Sequence, residues 1–222
     1  MIHFSNNFIS SKVHSALVRE MSKFKDSQSV LVPIRSKLHF GVNNPNCDGV
    51  NVSYFRYPNF LRFFPLIKVF FTFFRGYFVF RQALSDEEKE GVCIAHNFWS
   101  DGVPVFLYSW VYKFKYFLVV RNTDINFFIP KLFHYRWLMK WMVRRSGGLV
   151  FVSSAHKIRF EKKWPELFGA ARKVKVIPNG VDDFWHINQI DTPINRPVTA
   201  CYVGNFNANK NVRRLIDASR LV

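Results

Sequence analysis

The sequence predicts an α/β fold, a parallel sheet flanked by crossover helices, and three observations carry that expectation. Short runs rich in β-branched and aromatic residues alternate with helical stretches along most of the chain. Several of these runs are continuously apolar, as strands covered on both faces must be. The 222 residues are 49% hydrophobic, ample for a packed core, and exceed one average domain without reaching two full α/β domains.

Residues 2–5 form the first expected strand. Its loop, Asn6-Asn7-Phe8-Ile9-Ser10-Ser11, leads into a helix over 12–25, with Ser10 or Ser11 placed to cap it. Strands are expected at 29–33 and 50–54, separated by a Gly/Asn/Pro-rich loop at 41–49. After a helical segment at 60–80 and an acidic turn at 85–88, further strands fall at 91–96, 116–120, 148–152 and 174–177. The last of these is closed by Pro178-Asn179-Gly180. A polar tract containing Pro193 and Pro197 reads as a linker, followed by a strand at 199–204 and a helix at 212–221. A lone strand and helix cannot enclose a core, so this piece is expected to be the beginning of an incomplete second domain.

The segment 60–80 is the most apolar and carries much of the phenylalanine. Lys68 and Arg75 interrupt it, each at a cost of about 2.5–3.5 kcal/mol near a bilayer centre, and Pro65 and Gly76 weaken it further as a membrane span. Two readings stand. The helix packs on the sheet with its basic residues reaching water, or some of its Phe side chains enter a membrane while Arg62, Lys68, Arg75 and Arg81 meet anionic lipid. Opposite faces of one helix can serve both.

A formal charge of +17 favours negatively charged partners: nucleic acid, anionic lipid or phosphorylated small molecules. Phe supplies 26 of the 40 aromatic residues, in dense apolar runs that suit burial or a lipid interface better than base stacking. With no nucleic-acid motif present, nucleic acid is the disfavoured partner. Cys47, Cys93 and Cys201 show neither metal spacing nor a disulfide framework, which points to a reducing compartment. The first residues lack the pattern of a signal peptide. A cytoplasmic protein is expected, with peripheral association at the inner face of the cell membrane as an option. No metal and no cofactor are expected.

Two stretches carry chemistry together. Val174-Lys175-Val176-Ile177-Pro178-Asn179-Gly180-Val181-Asp182 is followed by Cys201-Tyr202-Val203-Gly204-Asn205 and, after a short loop, by Lys210-Asn211-Val212-Arg213-Arg214-Leu215-Ile216-Asp217-Ala218. In this order they resemble the junction of retaining glycosyltransferases of the GT-B fold, the large group 1 family. There a strand ending in I-P-N-G-V-D leads to an interdomain linker, and a Y-V-G…K…L-I-x-A strand–loop–helix opens the donor-binding domain. The physical logic is legible. Glycine at a strand end permits a tight turn near a ligand, and the following helix directs free N–H groups and its positive dipole end at a diphosphate.

The resemblance implies a Rossmann-like acceptor-side domain over 1–185, a linker over 186–197 and the start of the donor-binding domain over 198–222. It implies a sugar transfer from a nucleotide sugar to a glycan or lipid-linked acceptor, in surface polysaccharide synthesis of the bacterial type. Lys210, Asn205, Gly204 and Asn7 would then bind the donor diphosphate. Asn205 stands where the family usually has arginine, and the loop holding Asn7 has no glycine where the family's is glycine-rich. Arg121-Asn122-Thr123-Asp124-Ile125 matches a segment often written H-G-S-D-I, with Arg121 in the histidine position. Arg121, Asp124 and His96 are the expected catalytic residues. Arg121 would hold an anion rather than act as a base, and Asp124 would bind sugar hydroxyls or orient Arg121. Ser100, Asp101 and His14 are the expected acceptor contacts. The plain alternatives are that Ser100 and Asp101 cap a helix, that Asp124 closes its own loop, that His96 is structural, and that Lys210 is a solvated surface lysine. The acidic donor-domain pair common in the family, two glutamates eight positions apart, is missing from the sequence. The chain is therefore expected to be a fragment, inactive by itself. The rival reading is a non-catalytic, basic membrane-surface module that keeps half of the fold.

Overall fold

A computed structural model describes residues 1–10, 12–24, 27–83, 90–180, 184, 187–188, 201–204 and 211–219. The chain divides into two units, Met1–Gly180 and Val181–Val222.

In the first unit seven parallel strands form one sheet in the order β3-β2-β1-β4-β5-β6-β7. They are β1 (Ile2–Phe4), β2 (Gln28–Ile34), β3 (Val50–Arg56), β4 (Val92–Ala95), β5 (Lys115–Val120), β6 (Gly148–Phe151) and β7 (Val174–Val176). Each coincides with an expected strand to within one or two residues at either end. This is a Rossmann-like arrangement: the chain winds outward from β1 to β3, then crosses back to β4 and winds the other way. In the register, His3 lies beside Val30 on one side and Ile94 on the other.

Alternation within the strands assigns the two faces. Ile2, Phe4, Leu31, Cys93, Ala95, Leu118 and Val120 enter the larger core, under α2 (Pro65–Ala83), α3 (Gly102–Val111) and α4 (Arg136–Arg145). Val30, Val32 and Ile34 point the other way, into a smaller cluster with Val18 of α1 (Lys12–Ser22) and Phe8. On that second face β1 contributes no apolar residue. It offers His3 and Ser5, both fully buried.

Pro65 opens α2, where its missing N–H costs nothing. The helix crosses close to α3 at Gly76. A Cβ there would collide with the Tyr108 hydroxyl and lie 3.0 Å from Phe55 Cζ. Gly76, which reads in the sequence as a weak point of an apolar helix, is thus a packing requirement. Tyr108 stacks between Phe73 and Phe80, at ring-centroid distances of 5.0 and 4.8 Å. No helix among the described residues is long and apolar enough to cross a membrane. The expected helix cap after β1 does not form through Ser10, whose hydroxyl donates to Asn7 O at 3.1 Å. Ser11 lies outside the described residues.

In the second unit one helix, α5 (Val212–Ser219), is described, and none of its residues is buried. The expected strand at 199–204 is not found over its described part. Residues 201–204 have no strand pairing, and Val203 is 90% exposed. A β-run gains its hydrogen bonds only beside another strand, and no neighbour pairs with it among the described residues.

Candidate functional site

The switch of winding direction falls between β1 and β4, and the crevice at the carboxyl ends of such a switch point is the usual ligand position in these sheets. The loops after β1, β4 and β5 are bound into one body there. Asn6 is held across the opening by Asp101: its backbone N–H and its Nδ2 donate to Asp101 Oδ1 at 3.1 and 2.6 Å. Asn6 Nδ2 also donates to Ser100 O at 3.0 Å. Asn97 Nδ2 reaches Asp101 Oδ2 at 2.7 Å, and Ser100 Oγ reaches Oδ1 at 3.1 Å. Asp101 precedes α3 without capping it. Its carboxylate is committed to the loops instead, which corrects the capping alternative. Burial raises its pKa although these donors and Lys68 oppose the shift.

Asp124 joins the other two loops. Its carboxylate accepts the N–H groups of Arg121 at 3.0 Å, Phe98 at 3.1 Å and Trp99 at 3.3 Å. It is fully buried, and burial lifts its pKa to about 6 against those bonds. Its oxygens face backbone, so it fixes Arg121 through the main chain and does not reach out to a sugar. The Arg121 side chain is half-buried, and its Nε donates to His96 O at 2.8 Å. That bond leaves the two terminal amino groups of the guanidinium for a ligand, and no carboxylate among the described residues pairs with them.

Beneath the crevice lies a buried polar chain. Gln28 Nε2 donates to the Val18 carbonyl at 3.1 Å, which turns Gln28 Oε1 toward His3 Nε2 at 3.0 Å. With His3 neutral, its proton must sit on Nε2, so Nδ1 accepts from His96 Nε2 at 3.1 Å. The tautomer of His96 follows: Nδ1 is bare, buried and without a hydrogen-bond partner. His14 Nδ1 meets Ser5 Oγ at 2.7 Å, and its ring lies 4.8 Å from that of His96. Burial pushes His3 down to about 4 and His14 down to about 3, the latter helped by Arg121. Burial, with His14, His3 and Arg121 adding to it, holds His96 well below the ordinary histidine range. All three rings are neutral at physiological pH. Among the described residues no group of three His, Cys, Asp or Glu side chains is arranged to hold a metal ion.

The sequence-predicted residues thus divide. Ser100, Asp101, Arg121, Asp124 and His96 meet at one end of the sheet, joined there by Asn6, which was not predicted, while the predicted Asn7 is exposed on the same turn. Arg121, Asn7 and Ser100 present atoms to solvent. His96, Asp101, Asp124 and His14 are buried and support them. Gly204 is described but belongs to the second unit, while Asn205 and Lys210 lie outside the described residues. Sequence reasoning missed His3, Ser5 and Gln28. For His3 and Ser5 the signal was a polar residue at every second position of an otherwise apolar strand, whereas Gln28 at the start of β2 carried none.

An apolar cavity of about 460 Å³ lies elsewhere, among Phe106, Trp110, Trp137 and Trp141 on α3 and α4. Its lining is almost entirely apolar and contains no titratable side chain. A smaller one of about 120 Å³ adjoins the crevice at Ser100. No protein-family model matches the chain, and no curated protein matches it at a significant level.

Proposed function

We propose that the chain is the acceptor-side half of a retaining glycosyltransferase that moves a sugar from a nucleotide sugar to a glycan or lipid-linked acceptor. One observation carries the reading: the loops after β1, β4 and β5 are hydrogen-bonded together at the switch point of a Rossmann-like sheet, with Arg121 presenting a free guanidinium edge. In the reaction the acceptor hydroxyl oxygen bonds to the anomeric carbon as the bond from that carbon to the diphosphate breaks. The hydroxyl proton passes to a phosphate oxygen and the nucleoside diphosphate leaves. Such a step needs no protein nucleophile, and it suits a site whose histidines and aspartates are buried. The part for this unit is to position an acceptor and to meet the diphosphate charge with Arg121.

Titration of the chain with a panel of nucleotide-diphosphate sugars, oligosaccharides and lipid-linked acceptors tests this. Saturable binding of at least one is expected, weakened tenfold or more by Arg121→Ala with thermal unfolding unchanged. Folded protein that binds none of them refutes the proposal.

The second reading, a membrane-surface module, is favoured by a specific feature. Ile67, Phe70, Phe74 and Phe78 form an exposed stripe along α2, and Trp110, Trp137 and Trp141 are exposed on α3 and α4. Basic groups accompany them, with Arg145 stacked 4.2 Å over Trp110. Apolar insertion flanked by cations suits an anionic bilayer surface, and a lipid-linked acceptor would be met there. Co-flotation with anionic vesicles in the absence of any sugar or nucleotide binding would favour the module over the transferase.

A further inference from the structure

The 120 Å³ cavity beside the crevice is lined by one face of α2, namely Pro65, Lys68, Val69 and Thr72, and by Arg35, Tyr57, Trp99, Ser100 and Phe128. Spacings of three, four and seven residues place the four α2 positions on a single helical face. Arg35 follows β2 and Tyr57 follows β3, so two further strand ends contribute. The Arg35 guanidinium acts on the Tyr57 hydroxyl, opposing the rise in its pKa that burial causes. Lys68 Nζ sits 5.0 Å over the Tyr57 ring, turned inward rather than toward the exposed stripe, a placement that neither reading of it, reaching water or meeting lipid, had given.

Two polar atoms in this lining have no hydrogen-bond partner: Trp99 Nε1 and Thr72 Oγ1, in residues that are each only 1% exposed. A buried donor left unpaired costs about 1–3 kcal/mol, so an occupant that pairs with both would recover that energy. The kind of occupant follows from the donor inventory. The indole N–H, the ammonium and the guanidinium can only donate, and the Thr72 and Tyr57 hydroxyls can donate as well. No carboxylate lines the cavity, and neither Arg35 nor Lys68 is ion-paired among the described residues. Burial lowers the Lys68 pKa while Asp101 opposes that shift, so its charge lacks a close partner. A site made of donors with two cations calls for a ligand that only accepts. More donors converge than the two oxygens of a carboxylate use, and Pro65, Val69 and Phe128 offer an apolar wall to the carbon side of an ester.

We infer that this cavity binds the phosphate group of a phosphorylated ligand, with Arg35 and Lys68 neutralising its charge and Trp99 Nε1 and Thr72 Oγ1 donating to its oxygens. As a phosphate site it stands on its own. That the phosphate belongs to the sugar acceptor rests on the transferase reading above. Two sources share this chemistry, a soluble sugar phosphate and a phospholipid head group.

The Trp99 indole N–H gives one resonance in a ¹⁵N–¹H correlation spectrum, assignable by its loss in Trp99→Phe. Inorganic phosphate, a soluble hexose phosphate and anionic phospholipid vesicles are titrated separately, with phosphatidylcholine vesicles as control. The expected result is a saturable shift of that resonance by at least one phosphate probe, with the dissociation constant raised tenfold or more in Lys68→Met and in Arg35→Ala. A response to hexose phosphate alone assigns a soluble ligand, and a response to anionic vesicles alone assigns a lipid head group. An indole resonance that none of the probes moves, or that moves equally in both variants, overturns the inference. Nucleotide sugars are read in the same spectra at the Asn6, Asn7 and Arg121 amides. Phosphate binding with those amides silent would keep the site and remove the transferase reading. The converse would remove the site alone.

Discussion

Replacing Asp124 by Asn should make the protein relatively more stable as pH rises. The carboxylate accepts three backbone N–H groups, yet burial outweighs them and sets its pKa near 6. In the unfolded chain an aspartate titrates near 3.9. Between those values the folded state holds more protons than the unfolded one, so this group's contribution to stability falls as pH rises through the window. Integrated from pH ~4 to ~7, the loss is about 2 kcal/mol. Asparagine does not titrate and keeps one oxygen for two of the donors. Its amide group then faces a third N–H, at a fixed cost of about 1–3 kcal/mol that does not depend on pH. The variant should be the less stable at the acid end and should gain about 2 kcal/mol on the wild type by neutral pH. Urea unfolding of both proteins at several pH values, with matched m-values, reads the difference directly. A stability difference that stays flat with pH, or that moves against the variant, would refute the view that this carboxylate is buried at a cost to join the loops after β4 and β5.

The histidine chain predicts the opposite slope. His3 and His14 have folded pKa values of about 4 and about 3, below the unfolded value near 6.5, so each loses about 3 kcal/mol of stability as pH falls from ~7 to ~4. Because His96 adds to them, the wild type should be acid-labile on balance, and His14→Asn should flatten the acid limb of urea-derived stability. Gly76→Ala forces α2 away from Tyr108 and Phe55 and should cost about 1–3 kcal/mol, seen as a lower urea midpoint. Triple replacement of Phe70, Phe74 and Phe78 by Ser removes exposed rings only. It should leave thermal unfolding nearly unchanged while lowering co-flotation with anionic vesicles tenfold or more.

Much of the fold was legible because strand signals are local. Each of the seven parallel strands is a short run rich in β-branched or aromatic residues, and pairing order changed none of them. The run at 199–204 looks the same in sequence, but it has no partner strand among the described residues. The crevice was half legible. Arg121, Asp124, His96 and Asp101 could be placed at strand ends, yet which of them reach solvent depends on packing. Asp124 and Asp101 are acidic residues in loops, a signature that a substrate contact and a buried clasp share. The His3–His96 bond joins residues 93 positions apart and exists only because β1 and β4 are neighbours. The phosphate pocket was illegible for the same reason. Arg35, Tyr57, Lys68, Thr72 and Trp99 come from four separate segments and match no spacing rule.

The most direct test of the central proposal is a map of backbone amide shifts in the isotopically labelled chain as nucleotide-diphosphate sugars and acceptor glycans are added. Saturable shifts should concentrate at Asn6, Asn7, Ser100 and Arg121, and Arg121→Ala should weaken them tenfold or more. Shifts confined to scattered surface lysines, or none at all from folded protein, would contradict a sugar-transfer crevice between β1 and β4.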